Sequence, residues 1–328
     1  NKDIRWEKTT TVNVGVDFAL FRHRLSGTIE YYNKYSVDLL AAINGSPTQG
    51  FGYTTLMTNN GKMVNQGVEI TLSGEIIRQK DFSWNASLLY AFNRNKVKHI
   101  SVQPSLWDSR ISMPTSYPMV GKPLYGIYAY KWAGLNENGD PQVYDAENNV
   151  TSGPARDYHA LVYCGTTVPI HNASLTNVLR YKGFEFSAML ILDAGHKLRS
   201  SNIPSINMSN GRITSTAKGI VDRWTQPGDV TDVPRLLFSN DTENFNTHRT
   251  ELYRYSDLFV YDASNIRLSN ISLAYRVPAH WCKKISLSGA RLQFNVENVA
   301  TFAFDSKANY DLGGKVKPNY VWGLYLNF

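Results

Sequence analysis

Side chains alternate with a period of two along most of this chain, in segments longer than ordinary strands. In TTTVNVGVDFALF, Val12, Val14, Val16, Phe18 and Leu20 share one side, and Thr11, Asn13, Gly15 and Asp17 the other. Leu25, Gly27, Ile29 and Tyr31 oppose Ser26, Thr28 and Glu30, and Val68, Ile70, Leu72 and Ile76 oppose Glu69, Thr71, Ser73 and Glu75. Phe82, Trp84, Ala86, Leu88, Tyr90 and Phe92 share a side against Ser83, Asn85 and Ser87. Phe184 through Leu192, Ala290 through Val296 and the terminal YVWGLYLNF repeat the pattern. Successive side chains of a strand point to opposite faces, so this spacing predicts β-structure throughout. The stretch 266–278 slips phase near Asn270, which predicts a bulge.

About nine or ten strands follow, several beyond ten residues against the usual five or six. Phe21-Arg22-His23-Arg24 and Tyr181-Lys182-Gly183 read as tight turns, whereas 38–64, 95–172 and 193–263 read as long loops. Short turns at one end and long loops at the other are the habit of transmembrane barrels. A large secreted sandwich alternates too, but the strand length, the aromatic strand ends and the alternating loop lengths favour a barrel. The absence of a repeat of about 40–50 residues weakens a propeller.

Composition narrows the classes further. Tyr 20, Phe 14 and Trp 7 make aromatics 12% of the chain, a bias that suits strands and membrane boundaries. No run approaches the roughly 18 apolar residues of a helical span. The opening NKDIRWEKTT has no apolar signal core, so either a leader was removed or the chain belongs to something longer. The net charge of +7 is scattered without a basic stripe, which argues against nucleic-acid binding. Cys164 and Cys282 are too far apart in sequence to suggest a disulfide framework or a metal site.

No catalytic constellation emerges. The seven histidines lack metal-ligand spacing and no G-x-S-x-G elbow occurs, so no enzyme, metal or cofactor is expected. Asp229 and Asp232 read as turn caps rather than cation ligands, and NENGDPQVYD (136–145) as a turn around Asn138-Gly139 rather than a calcium loop. The loop aromatics Trp107, Tyr117, Tyr125, Tyr128, Tyr130, Trp132 and Phe245 are the candidates for substrate or partner contact. Packing of the loops against themselves is the first expectation for most of them. The polar alternates Glu30, Glu69, Glu75, Asn85, Glu185, Arg291, Gln293 and Glu297 are the candidates to line a lumen.

The stretch 211–235 carries Arg223-Trp224, Pro227-Gly228-Asp229 and Thr231-Asp232-Val233-Pro234-Arg235 in order. This resembles a hallmark of the SusC/RagA family of TonB-dependent outer-membrane transporters. RWEKTTTVNVGVDFALFRHRLSGTIEYYNKYSVDLL (5–40), NNGKMVNQGVEI (59–70), VGKPLYGIYAYKWAGLNENGDP (120–141) and IRLSNISLAYRVP (266–278) are similar to family blocks and follow in family order. FDSKANYDLGGKVKPNY (304–320) departs from the family's Asp-Pro-Glu-like turn.

The resemblance implies an all-β, antiparallel transmembrane barrel segment, about ten strands of a plugged barrel of about 22. It implies a bacterial outer membrane of the Bacteroidetes type, a SusD-like lipoprotein as lid, and TonB as the source of energy. It also implies that the N-terminal plug, the TonB-contacting segment and the first barrel strands lie outside these 328 residues, all of which belong to the C-terminal part. Import of a glycan or peptide fragment is the implied function; a secreted carbohydrate-binding or structural β-domain and a passive porin are the alternatives. On this reading Tyr320, Trp322, Leu324, Leu326 and Phe328 face lipid on a closing strand paired on both sides.

Overall fold

The computed structural model describes residues 4–44, 55–102, 109–153, 157–208, 217–238, 247–313 and 316–328. Nine antiparallel strands form one continuous sheet: β1 (Lys8–Leu20), β2 (Leu25–Asn44), β3 (Thr55–Arg78), β4 (Phe82–Ile100), β5 (His171–Tyr181), β6 (Phe184–Ala194), β7 (Asn265–Arg276), β8 (Gly289–Ala303) and β9 (Asn319–Asn327). Neighbours in sequence are neighbours in space, the up-and-down order of a barrel wall. β1 and β9 are its edges, and the sheet does not close on itself. The terminal strand pairs with β8 on one side, and its other edge has no strand partner among the described residues.

Connection lengths alternate strictly. Residues 21–24, 79–81, 182–183 and 277–288 join strands at one end of the sheet, while the long connections all lie at the other. Phe21, Arg22, His23 and Lys182 sit at positive φ, the left-handed backbone that reverses a chain in so few residues.

The expected loop 38–64 is mostly strand. Its ends belong to β2 and β3, and the expected loop 95–172 starts only after Ile100. Register shifts between Ser36 and Leu39, between Leu39 and Leu40, and between Lys62 and Met63 explain the difference. Each extra residue breaks the period of two while ladder pairing resumes beyond it. The same device appears between Leu268 and Asn270, where the phase slip in the sequence pointed.

The two faces of the sheet differ. Val14, Tyr31, Val68, Phe92 and His171 follow one another across five strands on one face. This face also carries Val16 (61% exposed), Leu292 (50%), Leu324 (62%) and Trp322 (79%). Trp322 meets Phe294 at 4.2 Å, a cross-strand aromatic pair of the kind that stabilises sheets. So much outward apolar surface is a liability in water and an asset in lipid. No described helix is long and apolar enough to cross a membrane.

The core lies elsewhere. The described residues of 109–170 and 195–264 form a body with its own small sheets at the sheet's long-loop end. Gly126–Tyr130 pairs with Leu161–Thr166, Trp132–Leu135 with Pro141–Tyr144, and Lys197–Arg199 with Val260–Asp262. A helix over Thr247–Arg254 packs against them, so that Tyr128, Tyr130, Val143, Leu161 and Leu252 form one buried cluster. Ile206, Tyr253 and Phe259 form a second beside it.

Candidate functional site

The second face of the wall is where the polar alternates gather. Glu30 stands opposite Glu69, and Glu75 opposite Asn85. Glu185 neighbours Ala274, which neighbours Gln293; Glu297 lies across from Asn270. All eight polar candidates, Arg291 included, share this one face through the sheet register. Strand periodicity alone produces this gathering once the register is set.

Its electrostatics change across the wall. On β5–β8, Glu185 accepts from Arg180 Nε at 2.8 Å and from Arg291 Nη2 at 3.1 Å. Asp193 accepts from Asn172 Nδ2 and from Arg267 Nη2, each at 2.7 Å. Gln293 Nε2 donates to Asn295 Oδ1 at 3.0 Å. On β1–β3, Glu30 and Glu69 form no ion pair among the described residues. One side of this face is thus charge-neutralised by chains of partners, and the other carries net negative charge.

The residues of the 223–235 stretch hold the loop body together. Trp224 N donates to Val233 O at 2.8 Å, closing a loop on itself. Asp229 Oδ2 accepts from Thr225 N, Thr225 Oγ1 and Gln226 N at 2.8, 2.8 and 3.0 Å, and these donors hold its carboxyl below the usual range. Thr231 Oγ1 donates to Asp222 O at 2.6 Å, and Gly228 turns the chain at φ 98°. Pro234 is fully buried. Asp229 is thus a turn cap, and Asp232 serves another partner: its carboxylate accepts from Trp132 Nε1 at 3.0 Å, 100 residues away in sequence.

Two more contacts complete the tie. Arg235 grips Asp140 through Nε and Nη2 at 3.1 and 2.8 Å. Arg249, 3% exposed, reaches the same carboxylate at 3.1 Å and the carbonyls of Ile206 and Arg235 at 3.0 and 2.7 Å. Burial lowers the Arg249 guanidinium's pKa, and Asp140 counters it. Trp224 lies so close to Gly139 that any side chain there would collide with its ring. Gly139, at φ 73°, belongs to the turn in which Asn136 Oδ1 accepts from Asn138 N and Asp140 N. The turn at 136–140 and the 223–235 stretch therefore clamp the two long loops together.

The loop aromatics separate by burial. Trp107 and Phe245 lie outside the described residues. Tyr128 is 1% exposed, its hydroxyl accepting from Met119 N at 3.1 Å, so its ring belongs to the interior and is closed to any ligand. Tyr130 is as deeply buried. Trp132 is half-buried against Tyr253 at 5.9 Å, and Tyr117 is half-buried with its carbonyl accepting from Arg110 Nε at 3.3 Å. Tyr125 stands open at 46% exposure.

Sequence reasoning missed Arg199, whose Nη2 donates to Tyr128 O at 2.7 Å and whose Nη1 donates to the carbonyls of Arg254 and Ser256. It also missed Asp311, which accepts from Ser200 Oγ at 2.8 Å and from Ser201 N at 3.0 Å and ties the 304–318 connection to the loop body. Neither residue sits in a local pattern, so only the fold reveals its part.

Comparison with known proteins agrees with this architecture. A TonB-dependent receptor of Formosa agariphila is 25% identical over 346 residues, covering 99% of this chain and 33% of its own length. The TonB-dependent receptor SusC of Bacteroides thetaiotaomicron is 25% identical over 312 residues, 91% of this chain and 29% of its own. The chain therefore spans about a third of the length of the relatives it matches. Among solved structures, the RagAB peptide transporter superposes with a TM-score of 0.75 at 23% identity, covering all of this chain and 36% of that one. Residues 1–299 match the family described as TonB dependent receptor-like, beta-barrel, and the chain belongs to that family of outer-membrane β-barrel proteins.

Proposed function

We propose that this chain forms part of the wall and mouth of an outer-membrane nutrient importer, working with a SusD-like lipoprotein as lid and energised by TonB. The observation that carries this reading is the pairing of one polar sheet face with a structured body at its long-loop end. A wall that only separated two compartments would need neither. The polar face would line the lumen, with Glu30, Glu69, Glu75 and Asn85 on its negative side and Glu185, Arg291, Gln293 and Glu297 nearer its neutralised side. Tyr125, with its ring open, is the aromatic best suited to touch cargo or lid. The plug and the TonB-contacting segment belong to the rest of the protein.

The cargo class would be a peptide or glycan fragment, and the likeness to a peptide transporter favours neither at this identity. Uptake of a fluorescent peptide mixture and of a fluorescent oligosaccharide mixture, by cells carrying the full-length protein with and without TonB, tests the proposal. Accumulation of one mixture that vanishes without TonB is expected. Uptake that persists without TonB would identify a passive porin. A full-length protein soluble and monodisperse without detergent would identify a secreted β-domain.

A further inference from the structure

On the outer face, β4 runs apolar from Phe82 to Phe92 and then turns cationic at Arg94 and Lys96. Ten residues at about 3.3 Å each span about 33 Å along a strand. A tilt of about 40° reduces this to about 25 Å, the height of a barrel's apolar band. The band closes with a polar aromatic pair, Tyr90 and His171, joined at 2.8 Å between the phenol oxygen and Nδ1. Arg94 and Lys96 therefore stand at headgroup level in the leaflet beside the long loops. Both are exposed and have no carboxylate partner among the described residues.

The sheet opens at this level. Asn93 N still donates to Ile170 O at 2.9 Å, but Val97 N donates to Lys122 O at 3.0 Å and receives Gly121 N on its own carbonyl at 2.8 Å. Between these two partners a cavity of about 340 Å³ is left beside β4. Arg94, Lys122 and Tyr163 line it with Asn93, Asn95 and Pro169, and no carboxylate does. Lys122 Nζ lies 4.9 Å above the Tyr163 ring, which fixes an ammonium at its wall. Lys96 extends along the neighbouring Gly121.

We infer that this slot binds the phosphate of an anionic lipid headgroup in the outer leaflet, with Arg94 and Lys122 as its two cations. A guanidinium-bearing and an ammonium-bearing side chain lining one cavity suit phosphate oxygens, and the adjoining apolar band suits the acyl chains of the same molecule. The inference rests on the outer-membrane location alone and stands whether or not cargo import is TonB-driven.

Native mass spectrometry of the full-length protein in detergent, titrated with bisphosphorylated lipid A, tests it. Wild-type protein is expected to retain lipid A about tenfold better than the same lipid stripped of its phosphates, and the R94S/K122S variant to lose about that factor. The charge-conserving R94K/K122R variant should keep most of the retention, and it reports on the site even where the double serine variant folds poorly. Equal retention of the phosphate-free lipid, or undiminished retention by a folded R94S/K122S protein, overturns the inference. Release of the lipid by millimolar inorganic phosphate, with no preference for the lipid form, assigns the slot to a free anion and overturns the lipid source.

Discussion

The wall and the loop body solve the burial problem in opposite ways. The wall leaves Val14, Leu292 and Leu324 half or more exposed, because lipid is to cover them. The loop body buries Tyr128, Tyr130, Leu252 and Tyr253 to 2% or less and gives the Tyr128 hydroxyl a backbone donor in Met119 N, the packing of an ordinary water-soluble core. One chain thus carries two cores for two solvents. The wall depends on an environment it does not contain, and the loop body depends on contacts between residues 100 or more apart in sequence.

The largest test of that contrast is Asp140→Ala, which leaves the buried Arg249 without its carboxylate. Stranding a buried charge costs about 3–5 kcal/mol, so limited proteolysis should cut the 109–170 and 195–264 segments while the wall stays resistant. Next comes Leu88→Arg, midway along the outer face between Leu72 and Leu175. It should cost the wall about 2–4 kcal/mol in denaturant titrations and leave the loop body's protease resistance unchanged. A simultaneous collapse of both regions would break the distinction. Trp132→Phe removes one donor to Asp232 and should cost the loop body about 1 kcal/mol, read by the same proteolysis.

The smallest effect is set by pH. Burial lowers the pKa of His196, against the nearby carboxylates of Asp193 and Asp262, and keeps its ring neutral in the folded body. With the folded pKa depressed below 6.5, stability holds above that value and falls as pH drops through it. Loosening of the loop body below about pH 6, absent in His196→Asn, is the expected outcome; the wall should show no such step.

The wall was legible because alternation is local: Phe82 to Phe92 state their face without knowledge of any neighbour. It became illegible where the bulges at Leu39 and Met63 interrupt the count, since ladder pairing survives a slip that a periodic reading does not. In the loops, the turns capped by Asn136 and Asp229 were readable because each carboxylate or amide serves backbone within five residues. The partner of Asp232 was not, because nothing near it announces an indole 100 residues upstream. Loop tyrosines carry the same letter whether buried like Tyr128 or open like Tyr125, and only packing separates them.

The clamp between the turn at 136–140 and the 223–235 stretch has a consequence for motion. Each loop alone would breathe on its own schedule, opening and closing by an independent local equilibrium. With Asp140 held by arginines from the other loop, and Gly139 under Trp224, neither can unravel without releasing the other. The pair behaves as a single cooperative unit: amides from both loops should exchange with one shared opening free energy, and any gating displacement must carry both loops together.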